Sequence, residues 1–175
     1  AELAREVGAT KVVWNRLYDP ATVARDTTVK AGLRDLGIEC ASHNANLLHE
    51  PWEIRTGQGG PYRVFTPFWR ACQMRLDAQP APLPAPRRLH GPSQPVASVA
   101  LNELELLPRI RWDAAFASHW TPGESGAHRR LEEFCGEWIG RYDEGRNRPD
   151  LPASSRLSPH LHFGEISPRQ CLVEK

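Results

Sequence analysis

Apolar positions at Leu3, Ala4 and Val7 share one face of a helical period, and Gly8 ends the run. The apolar stretch "KVVW" at 11–14 then predicts a short strand. Asp19-Pro20 has the form of an N-cap followed by a first-turn proline. The helix it opens carries Val23, Val29, Leu33 and Leu36 and stops at Gly37. "IECASH" at 38–43 predicts the next strand. This alternation of helix and strand predicts an α/β layer with a parallel sheet. Two strands do not make a stable sheet alone, so further strands upstream are expected.

The glycines at 57, 59 and 60 predict a loop, without the GxGxxG spacing or the strand-to-helix context of a phosphate-binding turn. Thr66-Pro67 predicts a capped helix carrying Phe68, Trp69, Cys72 and Leu76, with the aromatic pair packed in a core. Residues 78 to 98 are dense in proline and read as an extended linker. Beyond it the strand pattern disappears. Thr121 and Glu124 around Pro122 have capping-box spacing. Ala127, Leu131, Phe134, Cys135, Trp138 and Tyr142 recur at three- and four-residue steps, predicting one strong amphipathic helix. The reading is therefore an α/β N-terminal piece with an incomplete, Rossmann-like parallel sheet, followed by the start of an all-helical domain. Both ends of the chain fall inside helical patterns, and the sequence is expected to be a fragment of a longer protein.

Composition narrows this picture only a little. The 175 residues are 40% hydrophobic and 25% charged, enough for a packed core. The net charge of +1, from 22 basic and 21 acidic side chains, excludes a strong global field, so a nucleic-acid surface must be a local patch. The only lysines are Lys11, Lys30 and Lys175, and arginine dominates the basic set. Cys40, Cys72, Cys135 and Cys171 are widely spaced, without a CxxC pair, and read as free thiols of a cytoplasmic protein. No signal peptide and no membrane-spanning apolar run is visible in the sequence.

The chemistry concentrates in "ASSRLSPHLHFGEIS", residues 153 to 167. Ser158-Pro159 and Ser167-Pro168 are two helix starts separated by one short helix that Gly164 ends. Helix starts offer unpaired N–H groups to anions. Ser154 and Ser155 add hydroxyls, and Arg156 adds a guanidinium. A phosphate group suits this donor set, although Ser-Pro starts also occur in proteins that bind nothing. His160 and His162, two positions apart, point away from each other on a helix and read as packing or surface residues; no metal site is expected.

"YDEGRNRPDLPASSRLSPHLHFGEISPRQ", from Tyr142 to Gln170, resembles the cyclobutane pyrimidine dimer photolyases of the photolyase/cryptochrome family. "WNRLYDPATVARD", "GGPYRVFTPFWRAC" and "WTPGESGAHRRLEEF" agree with that family in the same order. The resemblance implies three regions: the C-terminal part of an α/β antenna domain over 1–77, an inter-domain linker over 78–112, and the beginning of a helical FAD-binding domain over 113–175. It also implies that Tyr142, Ser154, Ser155, Arg156, Leu157 and Ser158 contact FAD, chiefly at its phosphates and ribityl chain. Ser154 stands where the family usually has threonine, which keeps the hydroxyl and loses a methyl. Arg146, four residues after Tyr142, stands where the family contacts DNA. The implied activity is light-driven repair of cyclobutane pyrimidine dimers in damaged DNA by a monomeric flavoenzyme, without a catalytic acid, base or nucleophile in this stretch. A cryptochrome-type photoreceptor that repairs nothing is the alternative. Folate-binding relatives carry an Asn-Glu pair where this chain has Ala21 and Thr22, which weakens a folate assignment; the second, antenna chromophore stays open between folate and deazaflavin, with an empty antenna pocket as the alternative.

Overall fold

The computed structural model describes residues 1–76, 83–92 and 95–173. They group into two compact units, Ala1–His43 with Ala85–Thr121, and Asn44–Pro84 with Pro122–Lys175.

In the first unit, helix α1 (Glu2–Glu6) leads to strand β1 (Lys11–Asn15), helix α2 (Pro20–Asp35) and strand β2 (Glu39–His43). β1 and β2 pair in parallel, with Lys11 opposite Glu39 and Asn15 opposite His43. A parallel pair needs a crossover, and α2 supplies it. The α2 start is set by Asp19, whose carboxylate accepts from the Thr22 hydroxyl and, at 3.0 Å, from the Thr22 amide; the hydroxyl first and then the amide make it hold its own proton less readily. Gly37 adopts φ +71°, a conformation that favours glycine, and closes the helix as the pattern predicts. Leu33 is the best buried side chain here, at 1% exposure. Trp14 on β1 donates its indole N–H to Asp26 on α2 at 2.8 Å, tying strand to crossover helix. Residues 83–92 and 95–100 form no helix or strand, as a linker composition requires; residues 78–82, 93 and 94 of that stretch lie outside the described residues. Two short 3-10 turns follow at Leu101–Leu104 and Phe116–Ser118.

The second unit contains helices α3 (Phe65–Gln73), α4 (Glu124–Glu133), α5 (Tyr142–Gly145), α6 (Ser158–Phe163) and α7 (Pro168–Val173). Its core joins Ala127 and Leu131 of α4 to Leu157 and Ile166, with Cys135, Leu161 and Cys171 packed around them.

Three helix starts differ from the sequence expectation. α3 begins at Phe65 after Val64, so Thr66-Pro67 lies inside the first turn, where a proline loses no intrahelical bond. Its Phe68 and Trp69 are each 39% exposed rather than core, and Cys72 is the buried residue of the helix. α4 begins at Glu124 after Gly123, which adopts φ +96° and carries no side-chain cap. Thr121 therefore falls outside the helix and Glu124 falls at its first position, so their capping-box spacing is not used. α6 begins at Ser158 itself, after Leu157, and also lacks a side-chain cap.

The expected single helix from 124 to 142 is interrupted. α4 passes into a π-helical turn, Phe134–Trp138, then a 3-10 turn, Ile139–Arg141, before α5. Arg141 leaves helical backbone values, at φ −121° and ψ 15°, and Trp138 is stretched to φ −119°. Glycines at 136 and 140 lower the cost of such departures. Eight residues of regular helix would separate Phe134 from Tyr142 by about 12 Å of axis. The two rings instead meet edge to face, 5.8 Å apart.

Candidate functional site

The change of helical winding brings Tyr142 toward the serine-rich turn. Tyr142 and Ser155 line one cavity of about 430 Å³, together with Phe134, Ile139, Gly140 and Asp143. Tyr142 is 39% exposed and Ser155 is half-buried. Two of the predicted cofactor residues, thirteen positions apart in sequence, therefore share one concave surface. A larger hollow of about 820 Å³ lies in the other unit, lined by Leu101, Asn102, Glu105, Leu106, Leu107 and Arg109. Half of its lining is leucine and it holds none of the hydroxyl donors, so its size does not make it the better chemical candidate.

A close approach holds Tyr142's helix against the turn. Gly145 is buried, and a Cβ built on it would lie 2.3 Å from the Ala153 Cβ. Ala153 is fully buried. Glycine at 145 and alanine at 153 are thus the sizes that let α5 lie on the chain just before Ser154.

The turn itself divides into donors and an anchor. Ser154, Arg156 and Ser158 are exposed. Arg156 adopts φ +51°, an uncommon conformation for a residue with a side chain. Leu157 is buried in the core cluster, and its carbonyl accepts from the Leu161 amide at 2.9 Å. The two helix starts are not equivalent. At α7, the Ser167 hydroxyl accepts from the Gln170 amide at 3.2 Å, and the Gln170 side chain accepts from the Ser167 amide at 2.8 Å. This reciprocal capping box satisfies the α7 start from within. Of these two starts, that of α6 is the one without a side-chain cap, so the anion-binding reading narrows from two helix starts to one. α6 has six residues, fewer than two turns, so the amides and hydroxyls of the turn matter more than a long helix dipole.

Behind the turn lies a pair that sequence reading did not find. His160, 4% exposed, has Nδ1 2.5 Å from Glu165 Oε2. The contact with His160 holds the Glu165 carboxyl below the usual range, helped by the nearby Gly123 backbone N–H. The signal available was a histidine and a glutamate five positions apart across Gly164, which adopts φ +71° and folds the chain back. His162 is exposed and meets Phe163 edge to face at 4.8 Å. Among the described residues no cluster of metal-ligating side chains occurs.

Arg146 is exposed, with its guanidinium 5.6 Å from the centre of the Tyr142 ring. Arg148, also exposed, is paired instead with Asp150 at 2.6 Å. In the other unit, Thr22 is committed to the start of α2: its amide and hydroxyl both bond to Asp19. No helix among the described residues is long and apolar enough to cross a membrane.

Residues 1–87 match the family described as DNA photolyase. The chain is 46% identical over 168 residues to a deoxyribodipyrimidine photo-lyase of Agrobacterium fabrum, covering 95% of this chain and 35% of that protein. It is 38% identical over 170 residues to cryptochrome-2 of Arabidopsis thaliana, covering 94% of this chain and 28% of that protein. Among solved structures, a bacterial class III photolyase from Agrobacterium tumefaciens superposes with a TM-score of 0.87 at 44% identity, over 97% of this chain and 35% of that one. The chain thus spans about a third of the length of the photolyases it matches.

Proposed function

From the premise that this chain belongs to the DNA photolyase/cryptochrome family, we propose that it forms part of a flavin-dependent enzyme for light-driven repair of cyclobutane pyrimidine dimers in DNA. The observation that carries the reading is the cavity shared by Tyr142 and Ser155 beside the uncapped start of α6. The division into an antenna domain (1–77), a linker (78–112) and the start of a FAD-binding domain (113–175) is part of the same proposal.

The donor set fits the diphosphate and ribityl portion of FAD. A diphosphate needs several neutral or cationic donors converging on one place. Ser154, Ser155 and Ser158 bring hydroxyls, Arg156 brings a guanidinium, and the α6 start brings amides. Tyr142 lines the same cavity as Ser155. FAD, when bound and reduced, supplies the light-driven electron for opening the cyclobutane ring. The residues present bind and orient, and none is asked to act as an acid, base or nucleophile. Arg146, exposed on Tyr142's ring, takes the role of a phosphate contact on DNA. Such contacts add affinity without reading sequence, which suits an enzyme that seeks a lesion. A second chromophore is left without an assignment, because Thr22 already serves its own helix. A monomer in the cytoplasm completes the reading.

The test is purification of the full-length protein with added FAD, followed by illumination with dimer-containing DNA. Bound yellow flavin and loss of dimers in blue light support repair. Bound flavin without loss of dimers supports a photoreceptor of the cryptochrome kind, to which the chain is also similar. Failure to bind FAD overturns both.

A further inference from the structure

The Glu165 carboxylate closes the end of α6 on itself. It meets His160 on α6, follows directly on Gly164, and has the backbone N–H of Gly123, at the entrance of α4, near enough to favour its charged form. The Glu165 amide also bonds back to the His160 carbonyl at 2.9 Å. Backbone and side chain therefore fold residues 160 to 165 onto themselves. The neighbouring Ile166, 2% exposed, packs with Leu157, Ala127 and Leu131. Two kinds of contact thus set α6: an apolar one to α4 at Leu157 and Ile166, and a polar one, His160 to Glu165, that locks the helix to the turn carrying Ile166.

This matters because α6 starts at Ser158 without a side-chain cap. Its first residues are the donors of the proposed phosphate cradle, and nothing in their own hydrogen bonding to a cap orients them. Apolar contacts resist separation but tolerate sliding and rotation. A buried hydrogen bond from one short helix to a fixed carboxylate does not, because rotating α6 would leave a polar ring unsatisfied in the core. We infer that His160 and Glu165 are a positioning pair that sets the rotation of α6 and thereby aims the Ser154–Ser158 turn at its ligand. Neither residue touches the ligand. The inference rests on the flavin reading above and adds the residues that hold its cradle in place.

The test uses the full-length protein and FAD as the probe. Flavin affinity of the folded fraction is measured by titration, together with the visible circular dichroism of bound flavin and the thermal unfolding of the apoprotein. Glu165→Ala is expected to weaken FAD binding at least 10-fold in the protein that remains folded and to change the flavin's dichroism. Glu165→Gln keeps the length and a polar end that can accept from, or donate to, His160 Nδ1 according to the ring's tautomer, and is expected within about 3-fold of the unsubstituted protein. Glu165→Asp keeps the charge and shortens the reach by one methylene; it gives the same reading as alanine if alanine does not fold, with a loss of at least 3-fold. Unchanged affinity and dichroism in folded Glu165→Ala, or in folded Glu165→Asp, overturn the inference, even if apoprotein stability falls. A loss in Glu165→Gln equal to that in alanine also overturns it. Absence of FAD binding by the unsubstituted protein overturns the flavin reading instead, so the two failures are distinct.

Discussion

The guanidinium of Arg146 stands 5.6 Å from the centre of the Tyr142 ring. One residue is proposed to face DNA and the other to wall the flavin cavity, and a cation–π contact joins them. Arg146 is exposed and its position on the ring leaves its N–H groups available to a phosphate. Arg146→Ala in the full-length protein is expected to weaken binding to DNA uniformly across sequences. It should also reduce the slope of log affinity against log salt by about 1. Flavin content should be retained, because Tyr142 still has Phe134 against its ring. An unaltered salt slope in a binding titration would remove Arg146 from the DNA surface.

A second prediction concerns fit rather than charge. Gly145→Ala would place its Cβ 2.3 Å from that of Ala153, with both positions buried. Overpacking of this kind costs about 1–3 kcal/mol. The double substitution Gly145→Ala with Ala153→Gly moves the methyl across the contact and should recover most of the loss. Urea unfolding of the two single variants and the double variant measures the coupling; additive losses would mean the backbones do not meet as described.

Backbone conformation gives a third. Arg156 sits at φ +51°, where a residue with a Cβ is held at a cost of about 1–2 kcal/mol. Glycine relieves that cost and loses about 0.5–1 kcal/mol through chain entropy. Arg156→Gly should therefore leave unfolding free energy within about 1 kcal/mol of the original, while Arg156→Ile should lower it clearly. FAD affinity should fall in both, because both lack the guanidinium. This separates the shape of the turn from its charge. A glycine variant that binds FAD as well as the original would show that the Arg156 side chain is not a ligand contact.

The sequence pattern was most legible where one element determines its own ends. Asp19-Pro20 and Gly37 bound α2 because the cap and the left-handed stop are local events. The Ser167 cap at α7 is local in the same way. The pattern misled at Thr121 and Thr66, where the spacing of a cap was present but Gly123 and Val64 took its place. It could not show the π and 3-10 turns between Phe134 and Arg141, because apolar residues at three- and four-residue steps fit a straight helix equally well. The site was legible as a set of donors. Its geometry was not, since Gly145 on Ala153, and His160 with Glu165 on Gly123, are contacts made in space by residues that look ordinary in a row.

The last prediction is a dependence on pH. The His160 contact and the Gly123 amide hold the Glu165 carboxyl below its usual range. A carboxyl whose folded value is lowered adds stability above its unfolded value, near pH 4.3, and loses it as pH falls through the folded value. The Glu165 contribution should therefore be complete at neutral pH and vanish on acidification below about pH 4. Asp19, Asp26 and Asp150 are lowered too, by Thr22, Arg25 and Arg148 respectively, so the protein as a whole should lose stability in the same range. Glu165→Gln separates the one contribution from the rest: it has no carboxyl to titrate. Its stability should fall less steeply than that of the original protein between pH 5 and the acid limit of folding, as followed by urea unfolding at a series of pH values. Parallel curves for the two proteins would mean that Glu165 has the same proton affinity folded and unfolded, and that its contact with His160 contributes nothing through its charge.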